Sequence, residues 1–169
     1  MTDQPPASDV VFRALERGDY AKGYCALLGQ LTTVGNVTED MFAERFALCN
    51  ATGIIRVVVG ELDGRIVAAA TVILEPKFAR SCAFCAHIED VVVDAAVRGR
   101  NLGRRVIAEA VRVAQAAGCY KVILDCSEDN AGFYEKCGFV KKEVQMRMDI
   151  TAAAGTGAAA NTAVQPSNI

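Results

Sequence analysis

Four arginines and two glycines lie between an apolar segment and the start of a predicted helix. They form the stretch Arg98-Gly99-Arg100-Asn101-Leu102-Gly103-Arg104-Arg105, which follows Val91-Val92-Val93 closely. A helix start offers free backbone N–H groups and the positive end of the helix dipole, and arginines add charge-assisted donors. This spacing is typical of a pyrophosphate site, although a solvated basic turn has the same composition. The stretch has neither a Walker nor a Rossmann fingerprint, which disfavours nucleoside triphosphates and NAD.

Three carboxylates accompany apolar segments. Glu89 and Asp90 are adjacent within the apolar stretch 83–93, and Asp125 ends the apolar stretch 120–126. A carboxylate among apolar neighbours is costly unless it has partners, so these acids are candidates for binding a ligand. Because successive residues of a strand face opposite sides, the adjacent pair requires a bulge or a division of roles. The alternative is that these acids lie at solvent-facing strand ends and bind no ligand.

The elements that must position these residues are read from hydrophobic periodicity and turn signals. Predicted strands cover residues 10–15, 54–60, 65–74, 83–93, 120–126 and 139–148, and predicted helices cover residues 20–31, 38–49, 106–117 and 131–136. Asp63-Gly64 predicts a tight hairpin between two of the strands. This order indicates an α+β fold in which helices cover a mixed sheet.

Composition limits the classes of protein to which the chain can belong. The 169 residues, 52% of them hydrophobic, suit one domain, and 18 basic against 20 acidic residues leave no field to hold nucleic acid or an anionic membrane. Seven cysteines at irregular spacing suit reduced thiols in an intracellular compartment. The Cys82/Cys85 pair has no second pair with which to complete a zinc site, so we expect no metal.

The two ends differ from the middle of the chain. We expect a flexible N-terminus over residues 1–9, one domain over residues 10–150, and a disordered tail rich in Ala, Gly and Thr over residues 151–169. The N-terminus lacks a secretory signal pattern, so a cytoplasmic location is expected. A weak likeness of Ser167-Asn168-Ile169 to a peroxisomal address is the alternative.

The basic loop resembles the Arg/Gln-x-x-Gly-x-Gly/Ala pyrophosphate loop of the GNAT acetyltransferases. Arg98 and Gly103 match, and Asn101 replaces the central glycine, a mild departure because Asn tolerates left-handed backbone geometry. The Asn-x-x-Phe-Tyr-Glu-Lys-x-Gly-Phe segment from Asn130 to Phe139 is found widely in the same superfamily. The resemblance implies a GNAT-type fold, with a mixed, mostly antiparallel sheet covered by helices on both faces.

Narrower motifs resemble one subfamily, the glucosamine 6-phosphate N-acetyltransferases. They are His87-Ile88-Glu89-Asp90, Tyr120 to Cys126, and Leu31-Thr32-Thr33-Val34-Gly35. The likeness covers residues 10–148. It implies acetyl transfer from acetyl-CoA to glucosamine 6-phosphate, giving N-acetylglucosamine 6-phosphate for UDP-N-acetylglucosamine biosynthesis.

The resemblance also implies a role for each matching residue. Tyr134 would be the general acid, Asp125 would orient the substrate amine, and Glu89 and Asp90 would contact the sugar. The coenzyme would be bound by Val91, Val92, Val93, Arg98, Gly99, Arg100, Asn101, Leu102, Gly103, Arg104, Asn130 and Phe133. The sugar phosphate would be bound by Thr32, Lys77, Arg80 and Arg147, the last replacing an arginine where this chain has Asp149. His87 is not expected to be the catalyst.

Other hypotheses remain open at this point. The resemblance implies a homodimer whose sites use both chains. The coenzyme loop does not depend on the acceptor, so a peptide or polyamine amine is an alternative substrate. A non-catalytic acetyl-CoA-binding module is the alternative from another class, and the presence of Tyr134 argues against it.

Overall fold

The computed structural model describes residues 9–150. The predicted N-terminal segment before Asp9, the predicted tail over residues 151–169 and its Ser167-Asn168-Ile169 end lie outside the described residues. The strands are β1 (Val11–Ala14), β2 (Ile55–Leu62), β3 (Arg65–Pro76), β4 (Phe84–Val93) and β5 (Cys119–Leu124). The helices are α1 (Tyr24–Leu28), α2 (Glu39–Thr52), α3 (Ala79–Cys82), α4 (Leu102–Ala116) and α5 (Glu128–Lys136), with 3₁₀ turns at Arg17–Tyr20 and Ala95–Val97.

The five strands form one sheet in the order β1-β2-β3-β4-β5. The first three pairings are antiparallel, and β4 pairs with β5 in parallel. The hairpin between β2 and β3 turns at Asp63 and Gly64, which both have positive φ, as the dipeptide predicts. The parallel pair needs a long crossover, which α4 supplies. The expected α+β class with a mixed, mostly antiparallel sheet is confirmed.

Helices cover both faces of the sheet, as expected. On one face, Val106, Ile107 and Ala110 of α4 pack against the central strands together with Tyr134 of α5. On the other face, Tyr24 of α1 and Phe42 of α2 lie in a second apolar cluster. The apolar face that periodicity predicts for the long helix is therefore the face that is buried.

The predicted strand over residues 139–148 is wrong for the part of the chain that the structure describes. Phe139 still packs against the core, but residues 140–150 are exposed and form no sheet pairing there. The alternation of apolar Val140, Val144, Met146 and Met148 with polar residues is typical of a strand. A strand exists only where a neighbour accepts its backbone hydrogen bonds, and periodicity cannot identify that neighbour.

The predicted helix over residues 20–31 is shorter than expected. Gly23 has a φ of 88° and separates the 3₁₀ turn from α1. α5 begins at Glu128, three residues before its predicted start. Among the described residues, no helix combines the length and the apolar character needed to cross a bilayer.

A buried ionic cluster joins β1 to the turn that precedes α1. Asp19 is fully buried and accepts two hydrogen bonds of 2.7 Å from the guanidinium of Arg13. Glu61 of β2 also pairs with Arg13, and Lys22 donates to Glu61 at 3.0 Å. Burial by itself would raise the pKa of Asp19, but the hydrogen bonds from Arg13 and from the Glu16 amide, with the nearby positive charges, hold that pKa below the ordinary value of an aspartate.

Replacing Asp19 with Asn should lower the free energy of unfolding by about 1–3 kcal/mol, because Arg13 loses a charged, buried partner. A group whose pKa is lowered by folding contributes stability above its unfolded pKa and loses it as the pH falls through its folded pKa. The deficit of the variant should therefore be full above about pH 4 and shrink in more acidic buffer. Urea unfolding from pH 3 to 7 measures this, with exposed Glu44→Gln as control; a deficit independent of pH would contradict it.

Candidate active site

The parallel strands β4 and β5 separate partway along their length. Their last paired residues are Ile88 and Leu124, and beyond this point β4 pairs only with β3 among the described residues. Glu89 is the next residue of β4 and Asp125 directly follows β5, so both lie at the closed end of the split, where the strands begin to separate. A cavity of about 250 Å³ opens there. Its lining includes Thr32, Glu89, Asp90, Val91, Asp125, Asn130 and Tyr134.

A bulge interrupts β4 at the acid pair. Glu89 lies opposite Thr71 and Val92 lies opposite Ala69, so β4 has one more residue than β3 between these pairs. Asp90 takes up the extra length with a φ of 53°, a conformation that is costly outside glycine. Both Glu89 and Asp90 consequently line the cavity. Of the two arrangements expected for adjacent acids, a bulge or a division of roles, the structure shows the bulge.

The carboxylates meet the imidazole of His87 at the closed end of the split. Its Nε2 lies 3.2 Å from Glu89 Oε1 and 3.3 Å from Asp125 Oδ2, and its Nδ1 lies 3.9 Å from Glu75 Oε1. The side-chain amide of Gln145 donates to Asp125 at 3.0 Å. Burial raises the pKa of Glu89, and the negative charges of Asp90 and Asp125 raise it further, while His87 lowers it.

Tyr134 lies on α5 with its ring in the core and lines the cavity. The ring packs edge to face against Phe133 and Phe139, which sets its direction. Burial raises the pKa of Tyr134 to about 12, and the nearby thiols of Cys126 and Cys137 and the carboxylate of Glu89 add to the shift. The hydroxyl therefore keeps its proton at neutral pH and can donate it.

The basic loop has the backbone expected of an anion site. Gly99 and Asn101 both have positive φ, and α4 begins at Leu102 directly after Asn101. The first amides of a helix have no acceptor within it, so they are available to an anion outside the helix. Arg98, Gly99 and Arg100 are exposed beside this helix start. The left-handed geometry that Asn tolerates at position 101 is confirmed.

Two further arginines of the loop have partners in the fold. Arg104 donates to the carbonyl of Lys136 at 3.3 Å, which ties the loop to the end of α5. Arg105 pairs with Asp9 and with the carbonyl of Val10. Arg105 is therefore a structural residue, and Arg104 stays near the helix that carries Tyr134.

Of the remaining predicted substrate residues, one lines the cavity and three do not. Thr32 lines it. Lys77 pairs with Glu75, and the guanidinium carbon of Arg80 lies 5.5 Å from the centre of the Tyr120 ring, both outside the cavity lining. Arg147 pairs with Asp149 in the exposed segment after Phe139. Within one described chain, these cations are not brought to the cavity.

Sequence reasoning missed two neighbours of the site. His87 is not expected to be the catalyst and is absent from the predicted site residues, yet it contacts two of the predicted acids. The signal available was its position two residues before Glu89, which places both side chains on one face of β4 before the bulge. Cys126 also lines the cavity, and its place directly after Asp125 could have indicated this.

A larger, mostly apolar cavity of about 1050 Å³ adjoins the site. It is lined by α2 residues such as Phe42 and Phe46, by β2 residues such as Val57, and by Arg45. Glu89 and Asp90 lie on its wall as well as on the wall of the smaller cavity. The carboxylates are thus accessible from two sides in the described chain.

Relatives share both sequence and fold with this chain. A glucosamine 6-phosphate N-acetyltransferase of Arabidopsis thaliana is 47% identical over 137 residues, covering 79% of this chain and 92% of that protein. The enzyme of that name from Trypanosoma brucei brucei is 40% identical over 143 residues, covering 84% and 97%. The crystal structure of the Arabidopsis enzyme superposes with a TM-score of 0.81 at 43% identity, covering 84% of this chain and 99% of that one.

More distant structures share the fold alone. An aminoglycoside N-acetyltransferase in complex with CoA superposes with a TM-score of 0.71 at 17% identity, covering 86% and 97% of the two chains. Residues 25–139 match the Acetyltransferase (GNAT) family, whose members use acetyl-CoA. This match spans the bulged strand, the basic loop and Tyr134. The chain therefore belongs to the GNAT family of acetyltransferases.

Proposed function

We propose that the protein transfers the acetyl group of acetyl-CoA to the amine of glucosamine 6-phosphate. The observation that carries the proposal is the cavity in which Glu89, Asp90 and Asp125 face Tyr134 at the split between β4 and β5. Relatives at 38–47% identity over most of this chain carry the name of this activity, which favours the phosphosugar over a peptide or polyamine.

The coenzyme would enter the split with its pyrophosphate on the helix start. Arg98, Gly99, Arg100, Asn101, Leu102, Gly103 and Arg104 would bind the two phosphates through amides and guanidinium groups. The pantetheine arm would lie along Val91, Val92 and Val93, where the edge of β4 has no strand partner among the described residues. Asn130 and Phe133 on α5 would border the other side of this arm.

The transfer itself requires a neutral amine, a polarised carbonyl and a proton for the departing sulfur. The acceptor nitrogen forms a bond to the acetyl carbon while the carbon–sulfur bond breaks, and backbone N–H groups of β4 stabilise the developing oxyanion. Tyr134 donates its proton to the thiolate and regains one from solvent, and the amine loses one proton to solvent. Asp125, with Glu89 and Asp90, accepts hydrogen bonds from the amine and the sugar hydroxyls, which orients the lone pair.

Within one described chain, the lining of the smaller cavity contains no Lys or Arg for the sugar phosphate. Thr32 is in reach of the cavity, whereas Lys77, Arg80 and Arg147 lie outside its lining. We propose that the cations approach the phosphate in an assembly of two chains. A phosphate needs charged or hydrogen-bonding donors. The charged side chains that line the smaller cavity are all carboxylates.

Production of CoA from acetyl-CoA tests the function. The purified protein should release thiol with glucosamine 6-phosphate and much less with glucosamine, which lacks the phosphate. Spermidine and a peptide amine serve as the other acceptors. Turnover of either of these with none of the phosphosugar would replace the proposal, and tight acetyl-CoA binding without any turnover would establish a binding module.

We also propose a homodimer. Support comes from the segment 140–150, whose apolar residues are exposed although they alternate like those of a half-buried strand. Val144, Met146 and Met148 are each more than 80% exposed. A second copy of the chain could pair with this segment and bury these side chains, and it would bring Arg147 to a different environment.

The substitution Val144→Asp should convert the dimer to a monomer, because it places a charge in the proposed apolar contact. Light scattering after size exclusion should give about twice the chain mass of 18.0 kDa for the unmodified protein and the single mass for the variant. Glu143→Lys changes the charge on the opposite face and should leave the dimer intact. A monomer without any substitution would refute the dimer.

We also propose a cytoplasmic location. All seven cysteines are free thiols in the structure, and free thiols suit a reducing compartment. Fluorescent fusions with and without residues 167–169 would distinguish the cytoplasm from an organelle that reads the C-terminal tripeptide.

A further inference from the structure

Three side chains of different elements converge at the closed end of the split. The Nε2 atom of His87 is buried and forms no hydrogen bond in the structure, although Glu89 Oε1 and Asp125 Oδ2 lie 3.2 and 3.3 Å away. The two oxygens thus lie near the nitrogen but out of line for a hydrogen bond. One ligand atom from each residue lies within 4.8 Å of the other two.

The two separations from Nε2 match those between the ligands of a tetrahedral metal ion, and the carboxylate oxygens lie within 4.8 Å of each other. Zinc binds imidazole nitrogen and carboxylate oxygen at about 2.0–2.2 Å, which places neighbouring ligands about 3.3 Å apart. A metal ion bound along the lone-pair axis of Nε2 would have its other ligands to the side of that axis. The off-line oxygens that form poor hydrogen bonds are therefore well placed to be co-ligands.

The second nitrogen of His87 faces another carboxylate. Nδ1 lies 3.9 Å from Glu75 Oε1, and Glu75 is itself held by Lys77. A metal-bound histidine usually donates its other N–H to a carboxylate, which fixes the ring and raises its basicity. A small movement of Glu75 would complete this contact. Asp125 Oδ2 also accepts from Gln145, and its second lone pair is available to an ion.

We infer that His87, Glu89 and Asp125 form a binding site for a zinc-class divalent ion that competes with the acceptor amine. Nε2 and one oxygen of each carboxylate are the ligands, and solvent takes the fourth position. The competition rests on the proposed function, because Glu89 and Asp125 are the groups assigned to the sugar and its amine. Ion binding itself stands independently of that function. The site would make the enzyme sensitive to free zinc.

Calorimetric titration of the full chain with Zn²⁺, with the thiols kept reduced, tests the site. One ion should bind to each chain. Co²⁺ in its place should show visible bands of nitrogen and oxygen ligands without the near-ultraviolet band of thiolate. In the acetylation assay, followed by chromatography of the sugar, zinc at about ten times its Kd should raise the apparent KM for the phosphosugar about tenfold. The kcat at saturating phosphosugar should not change.

Substitutions assign the ligands. His87→Gln should weaken zinc binding at least about tenfold, and Glu75→Gln should weaken it to a smaller extent. Glu44→Gln removes an exposed carboxylate of α2, and Cys126→Ser removes the thiol in the lining of the smaller cavity; both variants should bind zinc as the unmodified chain does. Thermal unfolding verifies that each variant is folded.

Several outcomes would overturn the inference. Zinc binding that survives His87→Gln, or that disappears with Cys126→Ser, would place the ion elsewhere. Inhibition that additional phosphosugar cannot relieve would exclude competition at this site. Should no phosphosugar be acetylated at all, the proposed function fails, and the titrations of His87→Gln and Glu44→Gln still decide whether the ion site exists.

Discussion

Tyr134→Phe should lower kcat by about 10²- to 10⁴-fold while leaving the affinity for acetyl-CoA nearly unchanged. The substitution removes only the hydroxyl, so the ring keeps its packing against Phe133 and Phe139. The loss arises because the departing thiolate no longer receives a proton from a positioned donor. Because the pKa of Tyr134 is about 12, the unmodified hydroxyl is protonated throughout the neutral range and is ready to donate.

Steady-state kinetics with varied acetyl-CoA and phosphosugar measure this effect, and binding of CoA alone separates affinity from rate. Tyr120→Phe is the matched control, since Tyr120 is an exposed tyrosine of β5 outside the cavity lining. The control should retain full activity. An unchanged kcat in Tyr134→Phe would reassign the proton donor to water.

Asp125→Asn should reduce kcat/KM for the phosphosugar by between about tenfold and about 150-fold, since a hydrogen bond to a charged group contributes about 1.5–3 kcal/mol. Asn has the size of Asp but no charge, so the cavity keeps its shape. The amine then lacks the carboxylate of Asp125 at the closed end of the split. Binding of acetyl-CoA should not change, because the basic loop and the β4 edge are untouched.

Initial rates at low phosphosugar concentration, compared with those of Asp129→Asn, provide the measurement. Asp129 is an exposed acid in the first turn of α5 and lies outside the cavity lining, so its substitution should have little effect. An equal loss in both variants would indicate a general effect of charge. A loss confined to acetyl-CoA binding would remove Asp125 from the acceptor site.

Most elements of the fold could be predicted because local patterns identify them. The apolar face of α4 repeats at helical spacing, and Asp63-Gly64 requires a tight turn, so both appear in the structure where they were expected. Thr38 caps α2 with its side chain, as the acids that follow it indicate. The break at Gly23 was missed because a single glycine within an apolar run is a weak signal.

The candidate site could be predicted only in part. The basic loop and the bulge at Glu89 and Asp90 follow from residue types and from the cost of burying adjacent acids. The contact of His87 with Asp125 could not be predicted, because it depends on β4 and β5 being parallel neighbours that separate after Ile88 and Leu124. The positions of Lys77 and Arg80 likewise depend on the turn after β3, where Arg80 has a φ of 58°.

The sequence alone determined the class of fold, the anion-binding helix start and the identity of the acids and the tyrosine, since each depends on neighbours close in the chain. The tertiary structure decided which of these residues share one cavity, because residues 35 or more positions apart meet only through strand pairing and helix packing. It also decided that residues 140–150 form no sheet pairing in the described chain. An alternating pattern indicates that a segment can form a strand. The strand forms only where a partner offers free backbone N–H and C=O groups for pairing.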